Sequence, residues 1–408
     1  MAKITLFAQI LQHLPKDEIK KVIRKHGTDK HSKGCDTWTH LVSMIFCQFA
    51  DCVSLRDIAA GMRSASGNLN HLGVEDAPSK STLGYQNKNR VSDVFRDIYY
   101  TVLSHLGQQV KGGKRIHGLK TPVKLLDSTL VTLCMEIYDW ALYTHTKGAV
   151  KLHTLLDFAT FLPEYVYITD GKGADSTSAR EVRVTPHCIV VADRGYCDFG
   201  LLHDWDSSGV FFVVRHKDNL LYRTVEEREL PPVGHQEVLK DEIIELTGSG
   251  PREKYGKTIR RVAVYNAESN TVITLLTNNL KLAASTIAEL YKARWNIEIF
   301  FRNLKQNFHI KSFVGTTRNA VEIQIWTALL TMLMLSYLKS IAHYTWHFSN
   351  LVHSLRLNTF TKIDLQLWLD SPFSPIHDDA DSTRGGGSIS LSLCAVLPYL
   401  FFNVTVSA

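Results

Sequence analysis

Apolar residues in the first part of the chain return every three or four positions, the period of an amphipathic helix, and beyond about residue 120 the period shortens toward two. Pro15 followed by Lys16, Asp17 and Glu18 puts proline and acids in a first helical turn. Gly27 after Arg24, Lys25 and His26 marks that helix's end. A long apolar segment runs from Trp38 to Cys52. Ser54, with Asp57 three residues on, caps a helix over Leu55 to Arg63. Ser79 or Ser81 caps a more polar helix ending Gln86-Asn87-Lys88-Asn89-Arg90, and another amphipathic helix reaches about Leu106. Lys111-Gly-Gly-Lys114-Arg115 reads as a linker that closes this region.

Val123 to Asp127 then reads as a buried strand ending at a carboxylate. Strands follow at Ala149 to Phe158 and Glu164 to Thr169. The turn Gly171-Lys-Gly-Ala-Asp175 leads to a short helix near Ser178 to Val182. Cys188 to Asp193 is a second apolar strand ending at a carboxylate, with Arg194 and Gly195 directly after it, and Val210 to Val214 is a fifth strand. Three strands in succession, then strands alternating with helices, predict a mixed sheet covered on both faces. Thr258 to Tyr265 and Thr271 to Thr277, joined by Asn266 to Asn270, form a hairpin in a β-rich block that interrupts this α/β pattern. Helix resumes at Ala283 and continues with breaks to about Ile341. The expected organisation is a helical N-terminal domain (1–115), a first core segment with both aspartates (120–216), a β-strand insertion (217–282), core helices (283–345) and a C-terminal region (346–408) serving dimerisation or forming a divergent tail.

Composition narrows the class. With 408 residues, 45% hydrophobic and 21% charged, the chain has the mix of a soluble globular protein and not of a fibrous or disordered one. The net charge of +6 is uneven: residues 1–120 hold 18 Lys/Arg against 10 Asp/Glu, leaving the remainder slightly acidic. A basic front end suits a polyanion, and equally a solvated surface. In that basic region, a short helix, a loop and a polar helix carrying Lys88 and Arg90 fit helix-turn-helix-like DNA docking or an all-helical interaction domain. Seven cysteines without CxxC or zinc spacing indicate reduced thiols and no structural metal. The first residues lack the apolar run of a signal peptide, and the apolar stretch Ile325 to Leu338 falls short of a bilayer span. The expected location is the cytoplasm, with no membrane partner.

Asp127 and Asp193 each follow an apolar strand, where α/β sheets gather ligands. Two carboxylates pressed together repel, and a divalent cation relieves that cost; oxygen-only donors suit Mg²⁺ or Mn²⁺. Either aspartate alone fits a helix cap as well. Farther on, Tyr291, Arg294, Glu298 and Lys305 fall within an arc of roughly 60° on one helix at about 100° per residue, with Arg302 beside them. Ile297, Phe301 and Leu304 are left to serve the core. The cations can hold DNA phosphates while Glu298 completes a metal site, although a solvated face laced with i, i+4 pairs has the same spacing. Two strand-end aspartates and a helical glutamate make an acid triad for two-metal phosphoryl transfer. No nucleotide-cradling glycine loop accompanies them.

At these residues the chain resembles a DDE transposase of the bacterial insertion sequence 4 family. Tyr291, Arg294, Glu298 and Lys305 match the family signature Tyr-x2-Arg-x3-Glu-x6-Lys without a gap. Leu126-Asp127-Ser128-Thr129 resembles its first-aspartate motif, and Val191-Ala192-Asp193-Arg194-Gly195-Tyr196 its second. The resemblance, over about Phe7 to Lys339, implies an α/β RNase H-like catalytic core with a β-rich insertion, preceded by an all-helical domain that recognises terminal inverted repeats. It implies that Asp127, Asp193 and Glu298 are the catalytic residues and bind two Mg²⁺ ions, with Mn²⁺ able to substitute. It further implies cut-and-paste transposition: water attacks at the transposon end, and the freed 3′-OH attacks the opposite strand, through a hairpin, and later the target. Tyr291, Arg294 and Lys305 would hold phosphates and the flipped-base region near the scissile bond. The partners implied are double-stranded DNA, as inverted repeats and as target, and a second copy of the chain in a synaptic homodimer at the nucleoid. Lys147, Lys151 and His153 resemble a recurrent strand of the family; an exposed strand fits them too. The end from Arg384 to Ala408 does not resemble the family's tails. The competing expectations are a stand-alone metal-dependent nuclease with the same core, and a decayed or domesticated DNA-binding copy.

Overall fold

The computed structural model describes residues 3–373 apart from 31, 33, 66–67, 135–137, 139, 145–146, 173–174, 217–219, 231–236, 268 and 311. The tail 384–408 therefore lies outside the described residues. Among the described residues seven α-helices come first: α1 (Leu6–Gln12), α2 (Lys16–His26), α3 (Thr37–Phe49), α4 (Leu55–Ser64), α5 (Leu69–Leu72), α6 (Lys80–Asn89) and α7 (Asp93–Leu106). Their ends follow from local chemistry. Gly27 closes α2 in the left-handed conformation, at φ 63°. The Ser54 hydroxyl accepts from the Asp57 N–H to start α4, and Ser79 accepts from the Thr82 N–H to start α6.

The strands and their connecting helices are β1 (Val123–Leu133), β2 (Leu142–Thr144), β3 (Lys147–Asp157), β4 (Pro163–Asp170), α8 (Asp175–Ala179), β5 (Ile189–Ala192), α9 (Phe199–Ser207) and β6 (Phe211–Arg215). The β-rich segment that follows adds β7 (Tyr222–Glu227), β8 (Val238–Leu246), α10 (Ser249–Tyr255), β9 (Ile259–Asn266) and β10 (Thr271–Thr277). Among the described residues the ten strands form one mixed sheet, ordered β2-β3-β1-β5-β6-β10-β9-β8-β7, with β4 also paired to β3. β1 runs antiparallel to β3 and parallel to β5, which is parallel to β6. This segment continues the sheet through β10, antiparallel to β6. Arg260 of β9 fixes its inner edge. Its guanidinium, 1% exposed, donates to both Asp241 oxygens and to the Asn279 and Leu282 carbonyls.

The chain ends in α11 (Ala284–Ala293), α12 (Trp295–Asn307), α13 (Arg318–Ile341), α14 (Phe348–Leu357) and α15 (Leu365–Asp370). α13 is long and apolar enough to cross a membrane, but 89% of its apolar window is buried inside the protein. It packs against α3, α6 and α7, so the N-terminal helices share a core with the C-terminal ones. The Leu6 and Phe7 N–H groups donate to the Thr361 and Thr359 carbonyls, tying α1 beside α15. The linker at residues 111–115 is docked: the Gly113 N–H donates to Ala159 O at 3.0 Å, in the β3–β4 turn.

Sheet alternation sorts the core. Leu125, Val191 and Val213 face the layer of α11, α12 and α13, whereas Leu126, Val190, Ala192 and Val214 face α9 and α10.

Candidate active site

The parallel ladder between β1 and β5 ends at the pair Leu126–Ala192. Asp127 and Asp193 are the next residue on each strand, so they leave the ladder side by side. Each keeps the parity of Leu125 and Val191 and so belongs to the face under α11 and α12. One expectation needs correcting here. β1 does not end at Asp127; it continues to Leu133, because its other edge stays paired with β3, Asp127 opposite Thr154.

A second correction concerns the helix opposite. The continuous helix expected over Tyr291 to Lys305 is two helices, with Arg294 as the joint between α11 and α12. Arg294 keeps helical dihedrals, so the turn tightens without redirecting the chain far: its N–H donates to Tyr291 O, and the Ile297 N–H donates to Arg294 O. Leu290, Ile297, Phe300, Phe301 and Leu304 are buried between the sheet and the neighbouring helices. Each such side chain contributes about 1.5–3 kcal/mol by leaving water, which holds the neighbouring polar positions at the strand ends.

The polar groups then meet. The Arg294 guanidinium bridges two of the carboxylates, donating to Asp127 Oδ2 at 3.1 Å and to Glu298 Oε1 at 2.9 Å. The Tyr291 hydroxyl donates to Asp193 Oδ1 at 3.0 Å. Burial raises the Asp127 carboxyl to about 6; Asp193 and Glu298 add to the rise, against the Ser128 N–H and Arg294. Burial, then Asp193, pushes the Tyr291 phenol up to about 12. Trp295, 60% exposed, stands at the rim beside Arg294.

Other expected residues lie elsewhere. Lys305 is half-buried about two turns, roughly 10 Å, along α12 from Glu298. Arg302 is exposed on the same helix, and Lys88 is exposed on α6. Arg90 is a correction: at 4% exposure it turns inward, donating to the Cys35 and Asp36 carbonyls, with Asp29 at 3.7 Å. It braces the end of α6 from within, and its charge does not face solvent.

Asp175 is a further polar residue that the sequence pattern does not single out. It begins α8 on the opposite face of β1, where its Oδ1 accepts from the Ser128 hydroxyl at 2.7 Å and pairs with Lys151 at 2.7 Å. His153 Nδ1 lies 3.7 Å away. His153 is fully buried, against the exposed-strand reading, and burial lowers its imidazole to about 4. The Ser128 N–H donates to Asp127 Oδ1 at 2.8 Å, so this cluster backs the strand at the position of the first aspartate. The side chain of Lys147 lies outside the described residues. The only sequence signal for Asp175 was an acid directly after a glycine turn.

The metal question turns on donor chemistry. Among the described residues no group of three acidic, histidine or cysteine side chains closes on one point, since Arg294 stands between Asp127 and Glu298. The donors nevertheless are all carboxylate oxygens, and Asp127 is buried within the electrostatic reach of Asp193 and Glu298, with Arg294 as the cation beside it. A hard divalent cation fits such a set.

Comparison with known proteins places the chain. A transposase DDE domain model matches residues 118–335, more than half of the chain and including all three carboxylates, and a domain of unknown function (DUF4372) matches residues 2–75. The chain belongs to the DDE transposase family, whose domain implies an RNase H-like fold. Relatives named as transposases include y4zB of Sinorhizobium fredii, 30% identical over 261 residues, 64% of this chain and 71% of that one. Another, for insertion sequence element IS5377 of Geobacillus stearothermophilus, is 27% identical over 63% of this chain and 67% of its own. A third, for IS4SA of Synechocystis, is 27% identical over 68% and 76%. A piggyBac transposase in a synaptic complex with hairpin DNA aligns at TM-score 0.40 and 13% identity, over 90% of this chain and 79% of that one.

Proposed function

We propose that this transposase moves an insertion sequence by cut-and-paste phosphoryl transfer, with Asp127, Asp193 and Glu298 as its catalytic carboxylates. The observation that carries the assignment is their convergence from β1, β5 and α12 around Arg294 and Tyr291. These three residues would hold two divalent ions, Mg²⁺ with Mn²⁺ as substitute, which when bound supply an activated attacking oxygen and stabilise the leaving one. Arg294 neutralises carboxylate charge until DNA arrives, and its guanidinium suits a phosphate next to the scissile bond. Tyr291 keeps its proton at neutral pH and orients Asp193. Lys305 lies along the path of the bound strand, and Trp295 offers a stacking surface for an unpaired base. Lys88 on α6 reaches the backbone of the terminal repeat. Cleavage through a hairpin on the transposon end, and a homodimer that joins two ends, complete the reading.

Transposition and plain nuclease action separate in one experiment. A labelled duplex of the element's end, supplied with its 3′-OH already exposed, is incubated with supercoiled plasmid and Mg²⁺. Covalent joining of label to plasmid supports transposition; plasmid nicking without joining contradicts it.

A further inference from the structure

The carboxylate site leaves one cationic feature unused. A cavity of about 760 Å³ opens beside α12, and its lining includes Lys111, Lys114, Arg302, Lys339 and His347 but no carboxylate among the described residues. Lys292 on the preceding helix, by contrast, sits beside Glu237. The cavity is built rather than incidental. The 111–115 strap is pinned at Gly113 to Ala159 O, and Gly112 lies so close to that turn that a Cβ there would sit 3.2 Å from the Ala159 Cβ. The strap holds Lys114 over the Phe161 ring at 4.6 Å while its ammonium donates to Asn296 Oδ1 of α12. Burial, then the nearby Lys339, depresses the Lys114 ammonium. Two like charges are thus held together without an acid between them. The first turn of α14, which has no side-chain cap, lines the same cavity.

The placement suits the substrate of the neighbouring site. Ile299, Arg302, Asn303 and Gln306 of the lining form a stripe roughly 90° around α12 from Glu298, with Arg302 between the two. We propose that this cavity is a second phosphate site, in which Lys111, Lys114, Arg302 and Lys339 grip consecutive backbone phosphates of the same DNA duplex that Glu298 engages. The inference rests on the transposase reading above. It assigns the strap between the helical region and the core a function: a clamp that sets how far the duplex extends past the carboxylates.

The test is the salt dependence of binding by full-length protein to a duplex of the element's end. Lys114→Gln with Lys339→Gln changes side chains at the cavity rim and is checked for folding by its urea midpoint. Each phosphate left without its cation makes the plot of log K against log salt shallower by about 0.9, so the double variant's slope is shallower by about 2. Affinity at physiological salt falls by about tenfold or more. A matched control, Lys254→Gln with Lys257→Gln on the opposite face of the sheet, keeps the wild-type slope. If wild type binds and cleaves the duplex while the strap variant keeps its slope and affinity, the clamp is wrong and the transposase reading stands. If wild type neither binds nor cleaves, both fall.

Discussion

Asp127 is held at a cost to the fold that a single substitution can remove. Its carboxyl, raised from 3.8 to about 6 chiefly by burial, binds its proton more tightly in the folded protein than in the unfolded chain. Ionisation therefore destabilises the native state. The penalty is absent below about pH 3.8, grows as pH rises toward 6, and is complete above 6. Its full size is about 3 kcal/mol, with the attraction of Arg294 already included. Asp127→Asn mimics the protonated acid. In metal-free buffer at pH 8, the variant unfolds in urea with a free energy about 3 kcal/mol above wild type, and the gap narrows to about 1 kcal/mol at pH 4.5. A site that loses activity when it gains stability is what a concentrated set of carboxylates entails. An Asn variant no more stable than wild type at pH 8, or a gap independent of pH, would refute the reasoning.

Three further outcomes follow from named contacts. Asp241→Ala leaves the buried Arg260 guanidinium without its bidentate partner and lowers stability by about 3–5 kcal/mol in urea unfolding, whereas Arg260→Met with Asp241→Leu recovers most of the loss. Arg90→Ala costs about 2 kcal/mol through the Cys35 and Asp36 carbonyls it abandons, while Lys88→Ala leaves stability unchanged and makes the salt slope of end binding shallower by about 0.9; the reverse pattern would return Arg90 to the DNA. Gly195→Ala puts a Cβ 3.2 Å from Asp175 Oδ2, crowding the carboxylate that Ser128 and Lys151 hold, and lowers the thermal unfolding midpoint by the equivalent of about 1–2 kcal/mol; an unchanged midpoint would mean that Asp175 yields freely.

Much of this architecture is legible one segment at a time. Caps such as Ser54 and Ser79 act within four residues, and apolar runs such as Ile189 to Ala192 need no partner to be recognised. What escaped depended on distant pairing. β1 outruns its apolar run because β3 sustains it beyond Asp127, and nothing near Leu133 announces that. The break at Arg294 is invisible to a periodicity count, since its dihedrals stay helical. Arg90 follows Lys88 in the same polar run, yet the inward carbonyls of Cys35 and Asp36 lie more than fifty residues away. Asp175 reaches Lys151 and Ser128 only once β3 and β1 pair. The linker is equally ambiguous in sequence: Gly-Gly reads as slack, and packing against Ala159 makes it a fixed strap.

The central claim is that Asp127, Asp193 and Glu298 act as one metal-dependent centre on DNA. It is tested most directly by single-turnover cleavage of a duplex spanning the element's end, with Mg²⁺ and with EDTA, for wild type and for Asp127→Asn, Asp193→Asn and Glu298→Gln. Wild type cuts at the end with Mg²⁺ alone, and none of the three variants cuts although each still binds the duplex. Cleavage that persists in any one variant, or that proceeds in EDTA, would contradict the claim.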